Sequence, residues 1–247
     1  MFIVNFISIM DLKNEAARVA YTFIANNMSI GLGDGSTVRC LAGFVSNGMK
    51  AGRKLNVYTS SVHTRDFLHE AGITVSDISS TDSLDLYFDG CDQVDDHLNA
   101  LKSGAGIHTS EKLLAAMARK FIIIADASKF VSKLDIKFPL VLEVLPQATK
   151  FVLKEMQTLY CDASLSIRKS PDDVGENAIT VNRNYLIDCR FAEWPDPGIV
   201  QIQSKNIIGV VEISLFYNMV NEAIIAGKEG IVRYERKNHL VRLMEPK

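Results

Sequence analysis

Residues 28–50 read MSIGLGDGSTVRCLAGFVSNGMK: a short apolar strand, Met28–Gly33, runs through glycines into Ser36–Lys50, a segment of helical period. The alternation continues on both sides. Before it, Asp11–Asn26 carries Leu12, Ala16, Val19, Phe23 and Ile24 at helical spacing. After it, Leu55–Ser60 reads as a buried strand, His63–Ala71 as a helix, and Leu84–Phe88 as a strand ending in an acidic loop. Ser110–Lys120 is again helical, and Phe121–Ala125, FIIIA, is a run of the kind found in the middle of a parallel sheet. This order predicts a doubly wound α/β domain whose ligands lie at the carboxyl ends of the strands.

Beyond about Leu134 the rhythm changes. Pro139–Leu145 is strand-like, Gln147–Leu159 is helical, and Ala163–Arg168 and Ala178–Phe191 flank the polar loop SPDDVGEN. A helix follows the PDPG turn, and Gly209–Phe216 reads as one strong strand. Strand, helix, two strands, helix, strand suits a small α+β domain of split βαβ, ferredoxin-like type. The expected division is therefore 10–134 plus 217–247 as the main domain and 135–216 as the small one, with 1–9 an N-terminal extension. AIIAG and GIVRYER near the end read as strands that return to the main domain. No repeat, low-complexity tract or flexible linker is visible.

Composition narrows the function classes. The chain has 247 residues, 27 Lys plus Arg against 29 Asp plus Glu, a net charge of -2, and 47% hydrophobic residues. That is too apolar for a disordered chain, and a pI near 6.2 lacks the basic excess that nucleic-acid binding needs. The opening MFIVNFISIM is about half a bilayer span and has no basic residue before it, so neither a signal peptide nor a membrane helix is expected. Residues 1–9 are either a short extra strand or the product of an upstream translation start, with Met10 the preferred beginning. Cys40, Cys91, Cys161 and Cys189 are scattered, which fits reduced thiols in a cytoplasm.

Four loops at predicted strand ends could carry chemistry. Gly31-Leu32-Gly33-Asp34-Gly35-Ser36-Thr37 offers backbone N–H groups and a helix start to a phosphate, although a glycine-rich turn capped by Ser36 explains it equally well. In Asp89-Gly90-Cys91-Asp92-Gln93-Val94-Asp95-Asp96, Asp89 and Asp92 can converge on a polar ligand, while Asp95 and Asp96 read as a solvated face. His97 is near, but calcium-loop spacing is absent, so no metal is expected. In Lys102-Ser103-Gly104-Ala105-Gly106-Ile107-His108-Thr109-Ser110-Glu111-Lys112, Glu111 falls in a first helical turn, where the dipole favours the ionised form a general base needs. His108 reads as a packing residue. The fourth loop, Asp126-Ala127-Ser128-Lys129, adds a cation.

GLGDGSTV, YFDGCDQVD, LKSGAGIHTSEK and FIIIADASK, in this order, together resemble the A-type ribose-5-phosphate isomerase family, from about Lys13 to Arg233 and including KFPLVLEVLP and GVVEISLF. The resemblance implies a Rossmann-like parallel-sheet catalytic domain with a smaller α+β domain. It also implies interconversion of ribose 5-phosphate and ribulose 5-phosphate without metal or organic cofactor, in a homodimer or homotetramer. By match, Glu111 would move the proton between C1 and C2. Asp89 and Asp92 would contact the sugar hydroxyls and assist ring opening, with Gly90 and Cys91 beside them. Lys102 and the backbone amides of Ser103, Gly104 and Ala105 would stabilise the enediolate. Asp34, Gly35, Ser36, Thr37, Lys129 and Lys13 would line the phosphate site.

The chain departs from the family pattern at several of these positions. Asp34 stands where Thr is usual, Ser103 and Ala105 where Gly is usual, Gln93 for Glu, and Ser110 for Arg. A carboxylate within about 5 Å of a phosphate costs roughly 3 kcal/mol at an effective dielectric near 20, so Asp34 either points away, pairs with a Lys, or marks a less anionic ligand. Two alternatives follow: an isomerase for another sugar phosphate, and a non-catalytic sugar-phosphate sensor like the effector domains of DeoR-type regulators. The sensor would need a DNA-binding module, for which only about ten residues precede the domain.

Overall fold

The computed structural model describes residues 9–171, 175–237 and 240–244. The readings on the N-terminal extension and on the middle of the SPDDVGEN loop lie outside the described residues.

In chain order the elements begin with α1 (Ile9–Tyr21), β1 (Ser29–Leu32), α2 (Ser36–Lys50), β2 (Asn56–Tyr58), α3 (Val62–Glu70) and β3 (Leu84–Asp89). Next come β4 (Gln93–Asp95), β5 (Ala100–Leu101), α4 (His108–Met117), β6 (Ala118–Asp126), β7 (Phe130–Val131) and β8 (Leu140–Val144). Then follow α5 (Thr149–Leu159), β9 (Ser164–Ile167), β10 (Tyr185–Arg190), α6 (Pro197–Lys205), β11 (Val210–Ile213) and β12 (Leu215–Phe216). The chain closes with β13 (Glu222–Gly227), β14 (Gly230–Lys237) and β15 (Leu240–Met244). These elements fall into two compact units: Met1–Cys91, Leu113–Phe130 and Met219–Lys247 in the first, Asp92–Lys112 and Val131–Asn218 in the second, each as far as it is described.

The first unit is built on a sheet of order β2-β1-β3-β6-β13-β14-β15, parallel from β2 to β13 and antiparallel through the last hairpins. FIIIA sits at its centre, with Phe121 to Ala125 all buried, because β3 and β13 flank β6 and both faces are covered. Helix α2 buries Val38, Leu41, Ala42 and Val45, one stripe at helical spacing, with Ala16, Ala17 and Ala20 of α1 in the same core. From β1 the chain moves to β2 on one side and then back across to β3 on the other. That reversal places the carboxyl ends of β1 and β3 at the topological switch point, where open α/β sheets bind ligands.

The second unit contains a four-stranded antiparallel sheet of order β11-β8-β10-β9 with α5 and α6 connecting its strands, the ferredoxin-like arrangement expected. Pro197 opens α6, and the carboxylate of Asp196 caps it by accepting from the N–H of Ile199 at 3.0 Å. Apolar Leu140, Leu142 and Val144 of β8 pack with Val152 and Met156 of α5 and Val200 of α6.

Helix α1 ends at Tyr21, short of the expected Asn26, and β10 covers only Tyr185–Arg190 of the expected Ala178–Phe191; three further elements differ for a tertiary reason. Helix α4 ends at Met117 instead of Lys120, because Ala118–Lys120 pair with β3 and extend β6. Gly209–Phe216 is two strands: Ser214 breaks the run by donating its N–H to Val141 O at 2.8 Å and accepting from Val141 N–H through Oγ at 2.9 Å, and β12 then joins β5. The acidic loop after β3 contains β4 and β5, too short to show a period. The segment 92–112 also groups with the second unit, whereas the sequence division left it in the main domain.

Candidate active site

The switch point of the first unit is closed by glycine. Gly33 donates its N–H to Phe88 O at 2.8 Å, and a Cβ at Gly33 would lie 2.1 Å from the Asp89 carboxylate, so only glycine lets β1 end against that side chain. Asp89 is 0% exposed; its Oδ1 accepts from the N–H of Gly90 at 2.8 Å and of Asp34 at 3.2 Å, and its Oδ2 accepts from the Tyr87 hydroxyl at 2.6 Å. The carboxylate thereby fastens the glycine loop to the end of β3. Sequence reading gave it the sugar hydroxyls; it engages these three internal donors.

Gly35, at φ 108°, and not Ser36, is the N-cap of α2, and no side chain caps the helix. The capped-turn explanation of the loop is thus replaced by an open helix start that begins with Ser36 and the buried Thr37, suited to an anion. A cavity of about 250 Å³ opens there, lined by Asp34, Gly35, Ser36, Arg39, His63 and Thr64. Among the described residues Asp34 is paired with no Lys; its Oδ1 accepts from the Ser61 hydroxyl at 2.6 Å and lies 3.6 Å from Nδ1 of His63. Lys13 of α1 lies close enough to Cys40 of α2 to act on its thiol electrostatically. Lys129 ends the turn that follows β6, and Gly90 and the half-buried Cys91 follow Asp89.

The second unit holds the general base candidate. Glu111 and Lys102 form a buried ion pair, Nζ to Oε1 at 3.3 Å, with side chains 4% and 8% exposed. The loop beside them is clasped from both faces. Asp92 Oδ2 accepts from the N–H groups of Ser103 at 2.6 Å and Gly104 at 3.1 Å, while Arg168, bound to Asp188, donates to the carbonyls of Ser103 at 2.8 Å and Gly104 at 2.9 Å. Two of the three amides assigned to an enediolate by resemblance, those of Ser103 and Gly104, therefore hold Asp92. Ser103 and Ala105 replace glycine without strain, because the left-handed conformation in this loop falls on Gly106, φ 69°, where a Cβ would meet Leu186 at 2.6 Å.

Two further readings are corrected or explained. Asp95 is not part of a solvated face: it is 3% exposed and accepts from the N–H groups of His97 at 3.0 Å and Asn99 at 2.7 Å, bracing the turn between β4 and β5. Burial pushes its carboxyl up, against the hydrogen bonds from Asn99. Gln93 exchanges hydrogen bonds with Asp135, 2.6 Å from Nε2 and 3.1 Å to Oε1, where a Glu would face a second carboxylate. Among the described residues no group of three or more His, Cys, Asp or Glu side chains is gathered so as to hold a metal.

Sequence reasoning missed the groups that hold helix α4. Glu143, 1% exposed inside LVLEV, accepts from Thr109 of α4 and from Thr180 at 2.8 Å, Asn182 at 3.2 Å and Asn184 at 2.8 Å. Burial raises its carboxyl, but the four donors together bring it below the usual range. A lone acid within an apolar strand was the visible signal. His108 packs as expected, 0% exposed, with Nε2 3.4 Å from Glu212 O and Nδ1 making no hydrogen bond.

Burial, aided by the Lys112 ammonium, pushes the His108 imidazole down to about 4 from 6.5. The folded state holds the proton more weakly than the unfolded one, so this contribution is intact above pH 6.5 and is lost as pH falls towards 4. Denaturant titrations between those pH values are expected to show a loss of about 3 kcal/mol that His108→Leu abolishes; an unchanged slope in the variant would assign it to other groups.

With this geometry described, the sequence profile of Ribose 5-phosphate isomerase A (phosphoriboisomerase A) matches residues 56–230. The chain belongs to the ribose 5-phosphate isomerase A family. It is 32% identical to the ribose-5-phosphate isomerase A of Thermococcus kodakarensis over 231 residues, 93% of this chain and 100% of that one. With the Synechococcus sp. (strain JA-3-3Ab) relative of the same name it shares 36% over 223 residues, 90% and 95% of the two chains. The ribose 5-phosphate isomerase A structure from Methanocaldococcus jannaschii matches at a TM-score of 0.84 and 29% identity, covering 92% of this chain and 100% of that one. A D-ribose-5-phosphate isomerase structure in complex with phospho-erythronic acid matches at 0.85 and 30%, covering 93% and 100%. Membership of the isomerase family and the two-part α/β fold thus agree with the sequence reading.

Proposed function

We propose that this protein interconverts D-ribose 5-phosphate and D-ribulose 5-phosphate in the non-oxidative branch of the pentose phosphate pathway. The observation that carries this reading is the buried pair of Glu111 and Lys102, a carboxylate and an ammonium 3.3 Å apart on a family-matched motif. A proton beside a carbonyl is too weak an acid for a carboxylate unless the charge arriving on oxygen is stabilised. In this reading Glu111 removes the proton from C2 of the open-chain aldose and returns it to C1, the hydroxyl proton passes from O2 to O1, and Lys102 faces the enediolate oxygens. The amides of Ser103 and Gly104 serve indirectly, by fixing Asp92 and the loop.

For the phosphate, the reading takes the open start of α2 at Ser36 and Thr37, with Lys13, Lys129 and Arg39 as cations. The hydrogen bond from Ser61 fixes the Asp34 carboxylate at the lining of the cavity at this helix start. A proton relay between neighbouring carbons needs neither hydride carrier nor metal. No described helix is long and apolar enough to cross a membrane. A cytoplasmic homodimer or homotetramer acting on a small sugar phosphate, without nucleic acid, completes the proposal.

The test is conversion of ribose 5-phosphate by the purified protein in deuterium oxide. Ribulose 5-phosphate is expected, with solvent deuterium entering the recovered pentose. Binding without conversion would support the sensor alternative, and conversion confined to another sugar phosphate would move the substrate assignment.

A further inference from the structure

The stretch Ile213-Ser214-Leu215, between β11 and β12, is used twice. The Ser214 carbonyl accepts the backbone N–H of Lys102 at 3.0 Å. The carbonyls on either side, of Ile213 and Leu215, accept from the Lys112 ammonium at 2.6 and 2.8 Å, and Glu212 Oε1 accepts from it at 2.9 Å. An ammonium has three donors, and these three acceptors use them all. Lys112 is also 5.0 Å from the centroid of the Phe216 ring and 8% exposed, so water does not compete for those donors. Ser214 is itself pinned to Val141 of β8 through both its N–H and its hydroxyl. Lys112 follows Glu111 on α4. The backbone of Lys102 and the helical residue next to Glu111 therefore hang from one rigid ledge.

We infer that Lys112 is a positioning residue for the isomerisation: its grip on the 213–215 ledge sets the separation between the Glu111 carboxylate and the Lys102 ammonium. The inference rests on the reading of Glu111 as the base. A neutral amine has two donors and would release one of the three partners, so the grip depends on the protonated form. The charged and titratable groups around Lys112 are Glu212 of β11, Lys205 of α6, 3.9 Å from Glu212 Oε2, and His108 on α4 itself. Burial pushes Lys112 down to about 8 from 10.5; Glu212 raises it and Lys205 lowers it.

A folded value below the unfolded one means that stability from this group rises as pH climbs from about 8 to 10.5, while kcat falls as the folded-state ammonium is lost around pH 8 and the grip loosens. A residue that only supported the fold would not move the two in opposite directions.

The test compares kcat, KM and thermal unfolding of the full chain as wild type, Lys112→Met, Glu212→Gln and Glu111→Gln. Lys112→Met is expected to unfold cooperatively and to lose about tenfold in kcat with KM unchanged, less than the hundredfold that a displacement of about 1 Å can cost. Glu212→Gln, which leaves the two carbonyls in place, is expected to move the alkaline limb of kcat to lower pH. Wild-type kcat in folded Lys112→Met, with Glu111→Gln inactive, overturns the positioning role alone. Should Lys112→Met fail to fold, an unmoved alkaline limb in Glu212→Gln overturns it. Turnover retained in Glu111→Gln overturns the base assignment and the positioning role with it.

Discussion

Glu111→Gln is expected to lower kcat by about 10⁴-fold, some 5 kcal/mol of barrier, while sugar-phosphate affinity stays within a few-fold. Glutamine keeps the volume of the side chain and an oxygen that can accept from Lys102 Nζ, so the buried pocket at the start of α4 retains its packing. It cannot accept and return a carbon-bound proton. Steady-state rates combined with calorimetric titration of ribose 5-phosphate separate the two quantities. A variant that binds weakly but turns over normally would make Glu111 a ligand contact and leave the proton transfer to another group. Among the other carboxylates of these motifs, Asp89 is fastened by three donors and Asp92 is engaged by two amides.

Lys102→Met is expected to cost about 10²–10³ in kcat, the range seen when one oxyanion donor is removed. The effect is large because the neighbouring amides of Ser103 and Gly104 are committed to Asp92, which leaves the ammonium and the Ala105 amide as the donors. Stability should fall as well, by about 3–5 kcal/mol, since Glu111 is 4% exposed and loses a cation at 3.3 Å. Adding Glu111→Gln to that variant should restore much of the stability and none of the activity, a coupling that denaturant midpoints measure. Additive stability losses would mean that the two side chains do not interact energetically, and a kcat near wild type would return the oxyanion to the loop amides.

Much of this was legible without coordinates because the signals were periodic or punctuated. Ser36–Lys50 forms a helix over the range its spacing predicts, and FIIIA is a central parallel strand, since a five-residue apolar run has no other stable place in an alternating chain. Glu111 was legible as a first-turn acid, and the glycines of the first loop as letting a ligand approach the backbone, whereas Gly33 in fact makes room for Asp89, far along the chain. Asp34 was legible as an anomaly but not as a solved one: the hydroxyl that holds it belongs to Ser61 at the cap of α3.

By itself, the sequence determined the order of the longer strands and helices, the change from a parallel to an antiparallel part, and which loops meet strand ends. Periodicity and turn chemistry are local and survive being read one residue at a time. Tertiary structure decided which partners each buried charged group has: the Tyr87 hydroxyl donates to Asp89, the loop amides to Asp92 and four side chains to Glu143, while the carbonyls of the 213–215 ledge accept from Lys112. A buried polar group must be satisfied by whatever the fold brings within about 3 Å, and that partner carries no mark in the string of letters.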